Sequence, residues 1–223
     1  MVNTNQNLEI KMNIEKWKNR LIVFEGSDCT SKSSVANLLV DYLNKNGVDT
    51  IFTFQPGDSN WGPLAPVLRS LCKDKRWDLH PLANFFAFQL DRVEQTSKVV
   101  VPALNEGKTV VSDRWNYSTY AYQLYGKELV TRYNMPKEVL EWLLETAIVS
   151  RSPDYVFYFP EKINVNRKDD ENDAFDKASE DFFIRVHNAY EELAKKNSNW
   201  IRVLPGYSAE DTMNKILHIM DEL

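Results

Sequence analysis

Cysteine, histidine and positive charge are all scarce in this chain. Two cysteines, Cys29 and Cys72, among 223 residues make neither a disulfide framework nor a zinc site, which needs clustered thiolate or imidazole ligands. The three histidines, His80, His187 and His218, show no ligand spacing. A reducing cytoplasm is the expected location. No apolar run approaches the ~20 residues of a membrane span, and the first residues lack the apolar centre of a secretory signal. A soluble protein without a membrane partner is expected. The formal net charge of −5 argues against general nucleic-acid binding, because neutralising a phosphate backbone takes a basic face. Any phosphate should be held locally.

Aromatic residues, by contrast, are plentiful. Six Trp, ten Tyr and eleven Phe exceed ordinary surface needs and are expected in the core or lining a pocket. Apolar, β-rich runs at Leu21–Phe24, Thr50–Phe54, Thr109–Val111, Tyr155–Phe159 and Trp200–Leu204 alternate with segments of helical period. Helical faces are read in the residues after Ser34 and in Leu64–Cys72, Phe85–Leu104, Val139–Ile148, Phe182–Leu193 and Met213–Met220. This pattern predicts an α/β fold: five parallel strands flanked by helices, in a single domain over 19–223. Residues 1–18 are expected as an N-terminal extension, frayed or adding an edge strand, since Leu8, Ile10, Met12 and Ile14 alternate. The charged stretch 161–179 is expected as a lid, because long polar loops in compact domains usually serve as lids or lack structure.

The chemistry starts in LIVFEGSDCTSKSS, residues 21–34. An apolar strand runs through Gly26 to Lys32 and Ser33 at the spacing of a phosphate loop, G-x-x-x-x-G-K-[ST]. In such a loop backbone N–H groups cradle phosphate oxygens, the lysine reaches the β/γ-phosphates, and the hydroxyl sits on Mg²⁺. Thr30, Ser31, Lys32, Ser33 and Ser34 form the expected phosphate-facing stretch, although Ser31 stands where the last glycine belongs. A Cβ there costs ~1–2 kcal/mol if its φ is positive. A second constellation, SDRWNYSTYAYQ over 112–123, begins at the carboxyl end of a predicted strand, where open α/β sheets place ligands. Asp113 suits metal-bound water and Arg114 suits phosphate.

With these residues in view, the chain resembles the thymidylate kinases of the nucleoside monophosphate kinase group. FEGSDCTSKSS at 24–34 is similar to that family's phosphate loop, FTFQPG at 52–57 to its T-x-x-P-G signature, and LRSLC, FQLDR and SDRWNYSTYAYQ follow in matching order. The resemblance implies a three-layer P-loop NTPase fold and transfer of the ATP γ-phosphoryl to dTMP or a related deoxypyrimidine monophosphate, with Mg²⁺ as cofactor, in a homodimer. It implies Lys32 and Ser33 on ATP phosphates and metal, with Asp113 a second metal ligand. Arg69 and Arg114 would clamp the acceptor phosphate. Phe88 would stack on the base, Arg92 and Thr119 would read its edge, and Tyr122 would crowd the sugar 2′ position with Gln123 beside it. Asp28 would contact the acceptor.

Several positions depart from the family pattern. Its catalytic arginine comes from the phosphate loop or the lid, but Cys29 and the run Asp173-Ala174-Phe175-Asp176 occupy those places. Arg167 is then the lid arginine expected to substitute. Phe54 and Gln55 stand where bacterial members usually carry Arg and Glu. Two other readings remain at this stage: a deoxynucleoside kinase, which needs a carboxylate base at the 5′-hydroxyl, and a catalytically weak nucleotide-binding protein.

Overall fold

The computed structural model describes residues 13–27, 30–149, 151–160 and 178–223. Strand β1 (Leu21–Gly26) is buried at every position, as expected of a parallel strand covered on both faces. Around it lie β2 (Thr50–Phe54), β3 (Thr109–Asp113), β4 (Tyr155–Phe159) and β5 (Trp200–Arg202), all parallel, in the order β2-β3-β1-β4-β5. The five expected strands are therefore present, β5 ending at Arg202 rather than Leu204. Register sets Phe24 beside Asp113 on one flank and beside Phe157 on the other. The carboxyl ends of β1, β2 and β3 consequently open onto one crevice.

Helices cover both faces. Against one pack α1 (Lys32–Lys45) and α8 (Ala209–Glu222), whose Val35, Leu39, Leu43, Ile216, Leu217 and Met220 meet Ile22, Phe24 and Phe157. Trp17 is fully buried in the same cluster, and its carbonyl accepts from Thr109 Oγ1 at 2.5 Å. The folded unit thus reaches back into the expected extension, which sequence polarity alone does not reveal. The rest of that extension, residues 1–12, lies outside the described residues. The other face is covered by α3 (Pro81–Gln95), α4 (Val101–Asn105), α5 (Asn116–Thr119), α6 (Lys137–Ala147) and α7 (Glu180–Lys196), and α2 (Ala65–Lys73) packs against α3.

Two stretches of wider π turn interrupt these helices. Thr96–Val100 joins α3 to α4, and Tyr120–Gly126 extends α5. Such insertions re-aim side chains and gather at functional sites. The second carries Tyr122 and Gln123. It packs directly on α7, where a Cβ on Gly126 would come within 2.7 Å of the Phe182 ring. The lid expected at 161–179 falls outside the described residues except for its last two, of which Ser179 caps α7 by accepting from Phe182 N at 3.3 Å.

Candidate active site

Among the described residues, two adjoining cavities open in the crevice. The smaller, about 190 Å³, is lined by Thr30, Ser31, Lys32, Ser33, Ser34, Asp113 and Arg114. The larger, about 360 Å³, takes in Phe54, Gln55, Arg69, Phe88, Tyr122 and Gln123, and shares Ser33, Asp113 and Arg114 with the first. Two ligand lobes therefore meet at one hydroxyl, one carboxylate and one guanidinium.

In the smaller lobe, Lys32 is buried and Nζ donates to Ser27 O at 2.5 Å and Thr30 Oγ1 at 3.1 Å. Ser31 has φ 63° and ψ 10°, the left-handed conformation, and makes no side-chain capping bond. The loop thus keeps the backbone shape that glycine normally supplies, with a Cβ attached. Asp28 and Cys29 lie outside the described residues. Among the described residues, Arg114 is the only arginine lining this lobe.

Ser33 Oγ donates to Asp113 Oδ2, while Asp113 Oδ1 is buried without a hydrogen-bond partner among the described residues. One hard carboxylate oxygen left bare beside a hydroxyl fits Mg²⁺, which binds through one or two carboxylates, water and substrate phosphates. Among the described residues, no group of three or more His, Cys, Asp or Glu forms an all-protein metal cage.

In the larger lobe, Arg69 Nη1 donates to Pro56 O at 2.8 Å and its guanidinium lies 5.6 Å from the Phe54 ring centroid. The turn after β2 comes this close to α2 only because residue 57 is glycine. A Cβ there, at φ 80°, would sit 2.3 Å from Arg69 Cβ. Gly57 N is held by Asp91 Oδ1 at 2.8 Å, and burial pushes the Asp91 carboxyl up to about 6 against the pull of that N–H and of Arg92 and Arg69. Phe88 packs against the core while lining the cleft. Arg114 is itself at φ 76°, its guanidinium 5.3 Å from the Tyr122 ring centroid.

Arg92 and Thr119 do not line either cavity. Arg92 is 1% exposed, and its five N–H directions go to Gln55 Oε1, Gln89 Oε1, Trp115 O and, twice, Thr119 Oγ1, all at 3.0–3.1 Å. Beneath the cleft this begins a directed chain: Arg92 donates to Gln55, Gln55 to Gln95 at 2.5 Å, Gln95 to Thr53 at 2.6 Å, and Thr53 to Asp58 at 2.6 Å. Gln123 is 1% exposed and lines the larger lobe, with Oε1 lacking a partner among the described residues. Arg167 lies outside the described residues.

A model of the thymidylate kinase family matches residues 24–216. The chain belongs to the thymidylate kinase family. A thymidylate kinase of Legionella pneumophila (strain Corby) is 30% identical over 209 residues, covering 91% of this chain and 94% of that protein. One of Nitrosomonas eutropha is 30% identical over 210 residues, covering 92% and 94%. A crystal structure of thymidylate kinase from Ehrlichia chaffeensis superposes with a TM-score of 0.69 over 91% of this chain and 98% of that one, at 22% identity, a likeness of fold. Within this thymidylate kinase framework, sequence reasoning passed over Lys73, Asn37 and Ser118, which also line the larger lobe. Lys73 follows Arg69 by four residues on α2, a same-face spacing that could have flagged it.

Proposed function

We propose that the protein transfers the γ-phosphoryl group of ATP to dTMP, giving the diphosphate. The sharing of Ser33, Asp113 and Arg114 by two adjoining cavities carries this reading, because phosphoryl transfer between two bound nucleotides needs their phosphates to meet at one charged point. Lys32 and the loop amides hold the donor phosphates, and Arg69 and Arg114 hold the acceptor phosphate. Ser33 and Asp113 would hold Mg²⁺, which neutralises phosphate charge when bound. Phosphoryl transfer is catalysed mainly by positioning and charge stabilisation, and the acceptor phosphate oxygen is already a nucleophile. The residues therefore act by alignment, and no general base is assigned.

Gln123 supports the choice of base. Its unpartnered Oε1 accepts hydrogen bonds, and N3 of thymine or uracil is a donor whereas N3 of cytosine is an acceptor. Phe88 offers the ring face for stacking. Arg92 and Thr119 hold the floor from beneath, Tyr122 is assigned the sugar side, and Asp28 is assigned contact with the acceptor sugar or phosphate. Arg167 is assigned the charge-stabilising role that the family's loop or lid arginine fills.

The test measures ADP release from ATP and Mg²⁺ with dTMP, dUMP, dCMP and thymidine. ADP is expected with dTMP and not with thymidine. Release with thymidine alone would make the protein a nucleoside kinase, and none with any acceptor a silent nucleotide binder. We further infer a homodimer in the cytoplasm. Phe86, Leu90 and Val93 form an exposed apolar stripe along α3, each 37–49% accessible, which a second copy would cover. Sedimentation should show dimers that Leu90→Glu dissociates.

A further inference from the structure

Glu25 is the one charged side chain in β1 and is fully buried, yet it lines neither cavity. Burying a carboxylate is strongly disfavoured unless donors and a counter-charge replace its hydration. Here four donors do so. Oε1 accepts from Trp115 N at 2.8 Å and Ser118 N at 3.1 Å, and Oε2 accepts from Ser118 Oγ at 2.7 Å and Tyr190 Oη at 2.9 Å. That set suits an acceptor-only, ionised carboxylate. Burial pushes its pKa up, while the Arg114 charge and the two hydroxyls pull the other way.

The same two hydroxyls face Arg114. Its Nη1 donates to Ser118 Oγ at 2.9 Å and Tyr190 Oη at 3.4 Å, and also to Gly26 O at 3.1 Å. Ser118 and Tyr190 thus each take a bond from the guanidinium and pass one to a single oxygen of Glu25. The other oxygen grips the backbone just after Arg114, whose left-handed φ of 76° an L residue adopts only when held there. The turn after β3, α5 and α7 all reach this one side chain of β1.

We propose that Glu25 is the positioning residue for Arg114, fixing the direction of its guanidinium at the junction of the two lobes through Ser118 and Tyr190. This rests on the phosphate-holding role given to Arg114 above. An arginine aligned beforehand loses less rotamer freedom on meeting phosphate than a free one does, and so acts at full strength in the transition state.

Tyr190→Phe tests this with little risk to folding, since it removes one hydroxyl from a ring outside both cavities. Bonds to charged groups carry weight, so Tyr190→Phe should lower kcat/KM for dTMP about 10-fold in the parent, but less than about 2-fold in an Arg114→Ala background. Glu25→Gln should show the same dependence on Arg114. In ¹⁵N spectra, the Arg114 Nε–H signal, assigned by its loss in Arg114→Lys, should shift and broaden in Tyr190→Phe. An equal penalty in both backgrounds, or an unmoved Arg114 signal, overturns the proposal. If the parent releases no ADP with dTMP, the functional reading fails, and the spectra still decide whether Glu25 aligns Arg114.

Discussion

Replacing Ser31 by glycine should stabilise the protein, although glycine beside a helix usually weakens it. Ser31 sits at φ 63° immediately before α1, and its hydroxyl makes no capping bond. The left-handed conformation costs an L residue ~1–2 kcal/mol, whereas the greater freedom of glycine in the unfolded chain costs ~0.5–1 kcal/mol. The balance leaves about 0–1.5 kcal/mol in favour of Ser31→Gly, which for a chain of this size raises the unfolding midpoint by up to roughly 6 °C. Ser31→Ala is the control: it keeps the Cβ and loses only a hydroxyl unbonded to the helix, so its effect should stay within about 0.5 kcal/mol. Urea denaturation at fixed protein concentration, without nucleotide, measures both. A loss of about 0.5 kcal/mol or more in Ser31→Gly would refute the backbone argument. A loss of ~1 kcal/mol in Ser31→Ala would show that the hydroxyl caps α1 after all.

Gly57→Ala should destabilise by at least about 2 kcal/mol, combining strain at positive φ with overpacking on Arg69, and should weaken dTMP binding measured by calorimetry. Asp113→Asn should lower turnover at least ~10-fold and raise the Mg²⁺ concentration for half-maximal activity, since a neutral amide replaces the bare carboxylate oxygen. Arg167→Ala should cut kcat by ~10³ or more while leaving acceptor affinity nearly intact; unchanged turnover removes Arg167 from the mechanism. Asp91 gives a pH signature. Its folded pKa of about 6 exceeds the ordinary ~3.9, so the folded state keeps a proton that the unfolded chain releases. That contribution is full below pH ~4 and is lost as pH rises through about 6. Asp91→Asn should therefore gain stability relative to the parent between pH 4 and 6 in urea titrations, and a constant difference would contradict the assignment.

Much of the framework was legible in the sequence because it rests on local patterns. Apolar runs such as Tyr155–Phe159 mark strands wherever they fall, and Gly26, Lys32 and Ser33 keep a spacing that the strand-loop-helix order makes meaningful. Asn116–Gly126 was not read as helical: it is rich in Tyr, Ser and Thr, poor helix formers individually, and becomes helical through packing on α7. The depth of Arg92 was equally hidden. Its spacing from Phe88 places both on one side of α3, but only the fold reveals that Gln55, Gln89, Trp115 and Thr119 consume its donors. Glu25 did leave a trace, since a lone acid inside a wholly apolar strand needs a partner. The partner, Tyr190, lies 165 residues away, beyond any spacing rule.

The donor chain beneath the cleft has a consequence for how this enzyme can evolve. Each link from Arg92 to Asp58 points one way. Glutamate at position 55 would set an acceptor against Gln95 Oε1, and turning the Gln95 amide to repair that would aim its oxygen at the Phe54 carbonyl, which now accepts from Gln95 at 2.7 Å. Positions 55 and 95 should therefore covary across lineages, with Gln55 tolerated only where residue 95 can receive its amide. Change at either position would then proceed by paired replacements, since a single one strands a buried polar group.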